Sequence, residues 1–289
     1  MGREDLSLCM VVKNEERRLA RCLDSASGLA SEIITVDTGS TDRTHAIAAG
    51  YGARVVPFDF AFVDFAAARN HAIARARGRW ILVLDADEIL QPAGTPLVRE
   101  LIAGGENAGY YFQRLNHQAA AQRPASDYVI RLFPNQPAYR YRGRVHETID
   151  DSIREAGGKL LRTEIRLEHD FASDPEARRR RNLWYIAILH EEIAAAPSDC
   201  SRLVFLAAEY HQLGMFHQAA EVAERIALMR PLDPQAHLHA GAYHLLYPLE
   251  PDRARADFQQ ALRLRPGYPE AQAFLDRLEK EEPYWSPPA

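Results

Sequence analysis

Three carboxylates follow a short apolar run: Trp80-Ile81-Leu82-Val83-Leu84 gives way to Asp85-Ala86-Asp87-Glu88. An unbroken apolar run of this length reads as a strand buried on both faces. Nothing apolar follows at once to hide Asp85, Asp87 and Glu88, which places them at the carboxyl end of a central strand, where open α/β sheets bind ligands. Side chains at i and i+2 of a strand point the same way. Asp85 and Asp87 can therefore converge on one hard cation, and a divalent ion there bridges phosphate oxygens. The alternative is an ordinary solvated turn or a helix N-terminus, since so short a motif is not specific alone.

Other residues of the right chemistry lie at comparable places. Asp37 ends the apolar stretch Ile33–Val36, where a carboxylate suits hydrogen bonding to a ribose or a base. Arg69, flanked by Ala68 and Asn70, offers a fixed fork of donors suited to phosphate, or else forms a surface ion pair. Glu147, in Val145-His146-Glu147-Thr148, has the chemistry of a general base if it is buried, and is otherwise a surface loop residue. His169 ends an alternating stretch and has the chemistry of a metal ligand or of a structural histidine.

The elements that must carry these residues follow in a regular beat. Leu6–Val12 is a first strand and ends in Lys13-Asn14-Glu15-Glu16. Leu19, Cys22, Leu23 and Ala26 then recur at helical spacing. The strand ending at Asp37 leads into Thr38-Gly39-Ser40-Thr41-Asp42, where Ser40 or Thr41 can cap the next helix. Arg54–Val56 is a third strand, residues 65–76 a helix with Phe65, Ala68, Ala72 and Ile73 on one face, and Trp80–Leu84 the fourth strand. This alternation predicts a doubly wound parallel sheet, with Asp37 and Asp85 lining one crevice. Further on, Tyr110–Leu115 and Tyr128–Phe133 read as strands of a mixed sheet, separated by a polar loop over 116–127. Lys159–Glu168 alternates, with Leu161, Thr163, Ile165 and Leu167 on one face and His169 continuing it.

The 289 residues suffice for one large domain or two ordinary ones, and 47% hydrophobic with 26% charged is the balance of a globular protein. A net charge of −5 gives no reason to expect nucleic acid as a partner. Cys9, Cys22 and Cys200 lack metal-type spacing, and Cys9 and Cys22 fall in apolar positions, so they read as buried free thiols. With no signal peptide and no membrane-length apolar run, this fits a cytoplasmic protein. There is no Gly-x-Gly-x-x-Gly after the first strand and no Gly-Lys-Ser/Thr loop, so phosphates must be held another way, and a metal on carboxylates is the natural substitute.

From the basic run Arg178–Arg181 to Glu282 the pattern is helical and repeats. Leu206, Ala207, Tyr210, Gly214, Phe216, Ala219, Ala223 and Pro231 follow the small/large order of a tetratricopeptide unit. A second unit places Ala240, Gly241, Ala254, Phe258, Ala261 and Pro266 at the matching positions, while Leu203 and His237 stand where Trp is usual. Helices at 183–196 and 269–281 would flank the pair. Such an array offers a surface to a peptide or a second subunit.

Taken together, Val11-Val12-Lys13-Asn14-Glu15-Glu16, Val36-Asp37-Thr38-Gly39-Ser40-Thr41-Asp42, Phe65 with Ala68-Arg69-Asn70, and Trp80 to Glu88 resemble the donor half of a family 2 glycosyltransferase of the GT-A fold. The chain is similar to the bacterial subgroup of lipopolysaccharide-core glucosyltransferases and glycocin peptide S-glycosyltransferases, and the resemblance is weak over 91–127. It implies an α/β fold, a GT-A domain with a Rossmann-like mixed sheet over 1–175, followed by an all-α tetratricopeptide-like domain over 176–289. It further implies a nucleotide-sugar donor, a UDP-hexose, with Mn²⁺ or Mg²⁺, and a glycan, lipid-linked glycan or peptide acceptor. A lipid-bearing acceptor would be met at the inner face of the membrane, and the repeat domain would serve a protein partner or a homodimer.

Residue by residue, the resemblance places Val12, Asn14 and Glu15 along the nucleotide pocket and Asp37 on the base or ribose. Arg69 falls near the diphosphate, Asp85 toward ribose and metal, Asp87 on the metal, and His169 completes the metal site. Glu147 falls where an inverting enzyme keeps its base, although the usual Glu-Asp pair of the wider family is not evident. A nucleotidyltransferase would show a Gly-rich basic loop after the first strand, and Lys13-Asn14-Glu15-Glu16 is not one. A non-catalytic scaffold would have lost Asp85, Asp87 or Arg69. A glycosidase with paired carboxylates would not need the nucleotide-type alternation.

Overall fold

The computed structural model describes residues 5–117, 125–170, 175–246 and 250–280. The chain divides into two compact units, Met1–Ser173 and Asp174–Ala289.

The first unit opens as β1 (Leu6–Val12), α1 (Leu19–Ser25), β2 (Glu32–Asp37), α2 (Thr44–Gly50), β3 (Arg54–Pro57), α3 (Phe65–Ile73) and β4 (Trp80–Val83). It continues as β5 (Glu88–Leu90), α4 (Gly94–Gly104), β6 (Ala108–His117), β7 (Ala125–Pro134), α5 (Asp150–Glu155) and β8 (Lys159–Asp170). One eight-stranded sheet runs in the order β3-β2-β1-β4-β7-β6-β8-β5. β1 to β4 are mutually parallel where they pair, and β7 joins β4 antiparallel, with Leu82 beside Leu132. The doubly wound parallel sheet expected from the alternation is thus only the first half of a mixed sheet. The reason is length: β6 and β7 form a hairpin, which needs no crossover helix.

β1 sits near the middle and is buried almost throughout, as its unbroken apolar sequence requires. Its alternate residues feed two cores. Leu6, Leu8, Met10 and Val12 pack with Leu19, Leu23 and Val98 on one face. Cys9 packs with Ala68, Ala72 and Ile73 on the other. Each fully buried leucine contributes roughly 1.5–3 kcal/mol from removal of its side chain from water. Gly78, just before β4, lies so close to β1 that a Cβ there would meet the Ser7 amide nitrogen at 2.7 Å.

Several boundaries differ from the sequence expectation. The helix expected over 65–76 ends at Ile73, and α4 and α5 were not anticipated. The polar loop expected over 116–127 is shorter, because Asn116, His117 and 125–127 belong to β6 and β7. Its centre, 118–124, lies outside the described residues, as does Glu282.

The second unit is helical: α6 (Pro175–Ala195), α7 (Cys200–Gln212), α8 (Phe216–Met229), α9 (Pro234–Leu246), α10 (Pro251–Leu264) and α11 (Pro269–Glu279). α7 packs on α8 and α9 on α10. Ala219, Ala223, Ala254 and Ala261 are fully buried, the small residues that let paired helices approach. A Cβ on Gly241 would meet the Phe258 ring at 2.7 Å, and Phe258 stacks on Phe274 with centroids 4.8 Å apart. His244, buried between α8 and α10, faces Asp257 at 2.8 Å and Glu224 at 2.7 Å. These carboxylates raise its pKa, Asp257 foremost, against the effect of burial.

Candidate active site

The loops after β1 and β2 are laced together. Asn14 takes the left-handed backbone at φ 56°, and its N–H donates to Ser40 Oγ at 3.0 Å. Its side-chain oxygen accepts the Thr41 N–H at 2.8 Å. The Glu15 N–H donates to Thr44 Oγ1 at 2.6 Å, and the Glu16 N–H to Asp42 Oδ2 at 3.1 Å. Ser40 and Thr41 therefore do not cap α2. Arg43 holds the N-cap position without a side-chain cap, Asp42 just before it accepts the Thr44 N–H at 2.9 Å, and Ser40 and Thr41 are turned toward Asn14. Asp37 Oδ1 accepts the amides of Gly39 and Ser40 at 3.1 and 2.8 Å. Val12 lies in the core, and its carbonyl accepts the Thr38 N–H at 3.1 Å, so its part is to hold this turn. Burial pushes the Glu15 carboxyl up to about 7, with the Asp87 charge adding to the effect.

α3 presents Arg69 to the sheet. Asp64 caps the helix by accepting the Ala67 N–H at 2.7 Å, and the methyl side chains of Ala68 and Ala72 let the helix lie close to the strands. Asn70 then grips the segment after β7: it donates to the Tyr141 carbonyl and accepts the Tyr141 N–H, both at 2.9 Å. The Phe65 N–H donates to the Arg144 carbonyl at 2.8 Å. This docking brings Glu147 to Arg69, whose Nε donates to Glu147 Oε1 at 2.6 Å. His146, next to it, is the second non-glycine residue with a left-handed backbone among the described residues. Such strain persists only where surrounding contacts fix the conformation.

Arg69 also donates through Nη2 to Asp85 Oδ1 at 2.7 Å. The other Asp85 oxygen is taken by Arg131 Nη2 at 2.6 Å. Arg131 comes from β7 and is 4% exposed; Arg69 is 9% exposed. Burial opposes the Asp85 anion, but Arg131 and then Arg69 overcome it and hold the carboxyl far below the usual range. The same Arg131 nitrogen also donates to Glu88 Oε1. Glu88 is fully buried, contrary to the exposed position expected of it, and burial raises its pKa despite Arg131. Its other oxygen accepts the Asp85 N–H at 3.2 Å. Arg69 Nη1, Arg131 Nε and the Tyr141 hydroxyl are buried without a hydrogen-bond partner.

Asp87 has a different partner. The chain leaves the strand after Val83 and turns at Ala86 and Asp87, so the i, i+2 geometry of a strand does not apply. Asp87 Oδ2 lies 3.3 Å from His169 Nε2. β5 sets this meeting, because Glu88 pairs with His169 across β5 and β8. The His169 Nδ1–H donates to Asn116 Oδ1 at 2.6 Å. An imidazole fixed through its other nitrogen, beside a carboxylate, is a donor set that fits a divalent ion. Among the described residues no three His, Cys, Asp or Glu side chains gather in a metal-binding group.

Sequence reasoning missed Arg131, Asn116 and the anchoring role of Asn70. Arg131 carried a usable signal: it interrupts Val129-Ile130-Arg131-Leu132-Phe133, and a charge inside a buried strand demands a partner.

Residues 7–167 match the family described as Glycosyl transferase family 2. A TPR repeat-containing protein of Synechococcus elongatus is 44% identical over 149 residues, covering 51% of this chain and 36% of that protein. The lipopolysaccharide core biosynthesis glycosyltransferase LpsC of Rhizobium meliloti is 34% identical over 104 residues, 35% of this chain and 38% of its own length. The chain spans about a third of the length of the curated relatives it matches. Among solved structures, S. aureus TarS 1–349 in complex with UDP-GlcNAc aligns with a TM-score of 0.49 and 13% identity, over 96% of this chain and 91% of that one.

Proposed function

The chain belongs to glycosyl transferase family 2, and on that premise we propose that it is a metal-dependent, inverting glycosyltransferase using a nucleotide-sugar donor, a UDP-hexose. The mixed sheet is the GT-A arrangement of that family, and the helical unit is tetratricopeptide-like. We assign 1–175 to transfer and 176–289 to the repeat module, which would hold a peptide acceptor, another protein or a second copy of the chain. The acceptor is a glycan, a lipid-linked glycan or a peptide. A sugar-nucleotide donor places the reaction in the cytoplasm, with a lipid-bearing acceptor met at the membrane face. No described helix is long and apolar enough to cross a membrane.

The observation that carries this reading is the Glu147 carboxylate. Its Oε1 accepts the Arg69 Nε–H at 2.6 Å, and the side chain is 13% exposed. A carboxylate held this way can take the proton of an acceptor hydroxyl or thiol as it attacks the anomeric carbon. Displacement in one step from an α-linked donor gives a β-linked product. Asp37 keeps Oδ2 for the ribose or base, and the laced loops bearing Asn14 and Glu15 frame the nucleotide. Asp85 is the carboxylate toward the ribose and metal, and Arg69 lies near the diphosphate. Asp87 and His169 would hold a Mn²⁺ or Mg²⁺ ion, which would supply positive charge beside the leaving diphosphate.

Thermal melts with uridine nucleotides, with and without Mn²⁺, test the donor site. A ligand bound only by the native state raises the midpoint by mass action. Metal-dependent stabilisation lost in Asp87→Ala supports the reading, and no response to any nucleotide sinks it. Glu147→Gln should keep nucleotide binding and lose transfer by about 10²–10⁴-fold. Full transfer in that variant would remove Glu147 from the role.

A further inference from the structure

Arg131 is buried in β7, and it is tied to the site in more than one way. One nitrogen, Nη2, donates to carboxylates from two residues, Asp85 and Glu88. Glu88 and Asp85 are themselves closed into a turn. The Glu88 N–H donates to the Asp85 carbonyl at 3.0 Å, and Glu88 Oε2 accepts the Asp85 N–H at 3.2 Å. Arg131 therefore neutralises the side chain that shapes the turn carrying Asp87. On its other side, Asp85 passes the contact on to Arg69, and Arg69 to Glu147. The four side chains form a line, Arg131–Asp85–Arg69–Glu147.

The ends of this line differ in rigidity. Glu147 sits on an irregular segment held by Asn70 and Phe65. Arg131 sits on β7, which pairs with β4 on one side and β6 on the other. Without Arg131, Asp85 has one guanidinium instead of two and is free to rotate about it. Glu88 is left with Arg114, whose Nη1 is 3.6 Å away and which is already engaged by Asp127 at 2.5 Å.

We infer that Arg131 is a positioning residue for transfer: it fixes Asp85 and, through Asp85 and Arg69, sets the direction of the Glu147 carboxylate. The inference rests on the transferase reading for its meaning, though not for its geometry. A purely structural Arg131 would serve only to balance the buried Glu88.

The two roles separate in the double variant Arg131→Met/Glu88→Gln, which removes the buried cation together with its buried anion. Two readouts apply to it and to the wild type. The first is the Nε–H resonance of Arg69 in ¹⁵N spectra, assigned through Arg69→Lys. The second is kcat for sugar transfer. The double variant is expected to keep a cooperative melt, to shift and broaden the Arg69 Nε–H signal through faster exchange, and to lose kcat by about 10²-fold, the scale of a misplacement near 1 Å. Arg131→Lys, which keeps the charge but cannot serve both carboxylates in one plane, should fall between the double variant and wild type. An unmoved Arg69 resonance, or kcat within about twofold of wild type, overturns the inference. A wild type that responds to no nucleotide would instead sink the transferase reading, and the Arg69 resonance would then decide the role of Arg131 alone.

Discussion

Asn70→Ala tests whether the docking of residues 139–148 on α3 builds the site. Asn70 makes two hydrogen bonds of 2.9 Å with the backbone of Tyr141, one accepted from its N–H and one donated to its carbonyl. Tyr141 is 6% exposed, so water does not readily replace either partner. Two lost bonds at roughly 0.5–1.5 kcal/mol each, raised by the penalty for burying unmet backbone groups, give about 2–4 kcal/mol. The loss should fall first on this segment rather than on the sheet, because β1 and β4 keep their own partners. Amide hydrogen exchange is the direct assay: the Tyr141 N–H should exchange about 10-fold or more faster, while amides of β1 stay protected. Transfer should fall with it, since Glu147 loses its fixed approach to Arg69. Unchanged exchange at Tyr141 with full transfer would refute the anchoring of the Glu147 segment by Asn70.

Asn116→Ala should leave the fold intact and weaken Mn²⁺ binding by about 10–100-fold, because it frees the His169 ring; metal titration of nucleotide binding measures this. Gly241→Ala should destabilise the helical unit by about 1–3 kcal/mol, since the added methyl meets the Phe258 ring at 2.7 Å and this outweighs the better helix propensity of alanine; thermal melts decide the sign. His244 gives the helical unit a pH dependence. Its folded pKa is raised by Asp257 and Glu224, so the stability it contributes is complete below the ordinary imidazole pKa of about 6.5 and is lost as pH rises through the raised value. Urea midpoints taken at about pH 6 and pH 9 should therefore drop more in wild type than in His244→Gln; equal drops would remove His244 from this role.

The parallel half of the sheet was legible in the sequence because each of its strands is short, apolar and followed by a polar turn. Asp85 and Asp87 were legible as residues but not as geometry. The i, i+2 reading extends strand geometry past Val83, whereas the chain turns at Ala86 and Asp87. The partners of Asp85 lie 16 and 46 residues away, and nothing in local periodicity reports such distances. Glu88 misled for a related reason: a carboxylate beside two others suggests solvent, and only the arrival of Arg131 allows it to be buried. α5 is only six residues long, too short for a helical period to show, whereas α4 carries Leu97, Val98, Leu101 and Ile102 at helical spacing and was readable. The repeat tail was readable because tetratricopeptide packing depends on residue size at fixed places, and Ala219, Ala223, Ala254 and Ala261 hold those places.

The span of the Arg131 contacts bears on how the unit can assemble. Asp85 and Glu88 are synthesised more than 40 residues before the guanidinium that compensates them, and the Arg69–Glu147 pair closes a loop of 78 residues. A fragment ending near Leu90 would hold every donor-side motif yet leave two carboxylates at the sheet edge without Arg131. Such a fragment should stay loosely packed around β4, and the unit should mature only once the β6–β7 hairpin docks. Any dissection of the protein into a nucleotide-binding piece and an acceptor piece is therefore cut across its own electrostatic seam, and a workable boundary must fall after β8.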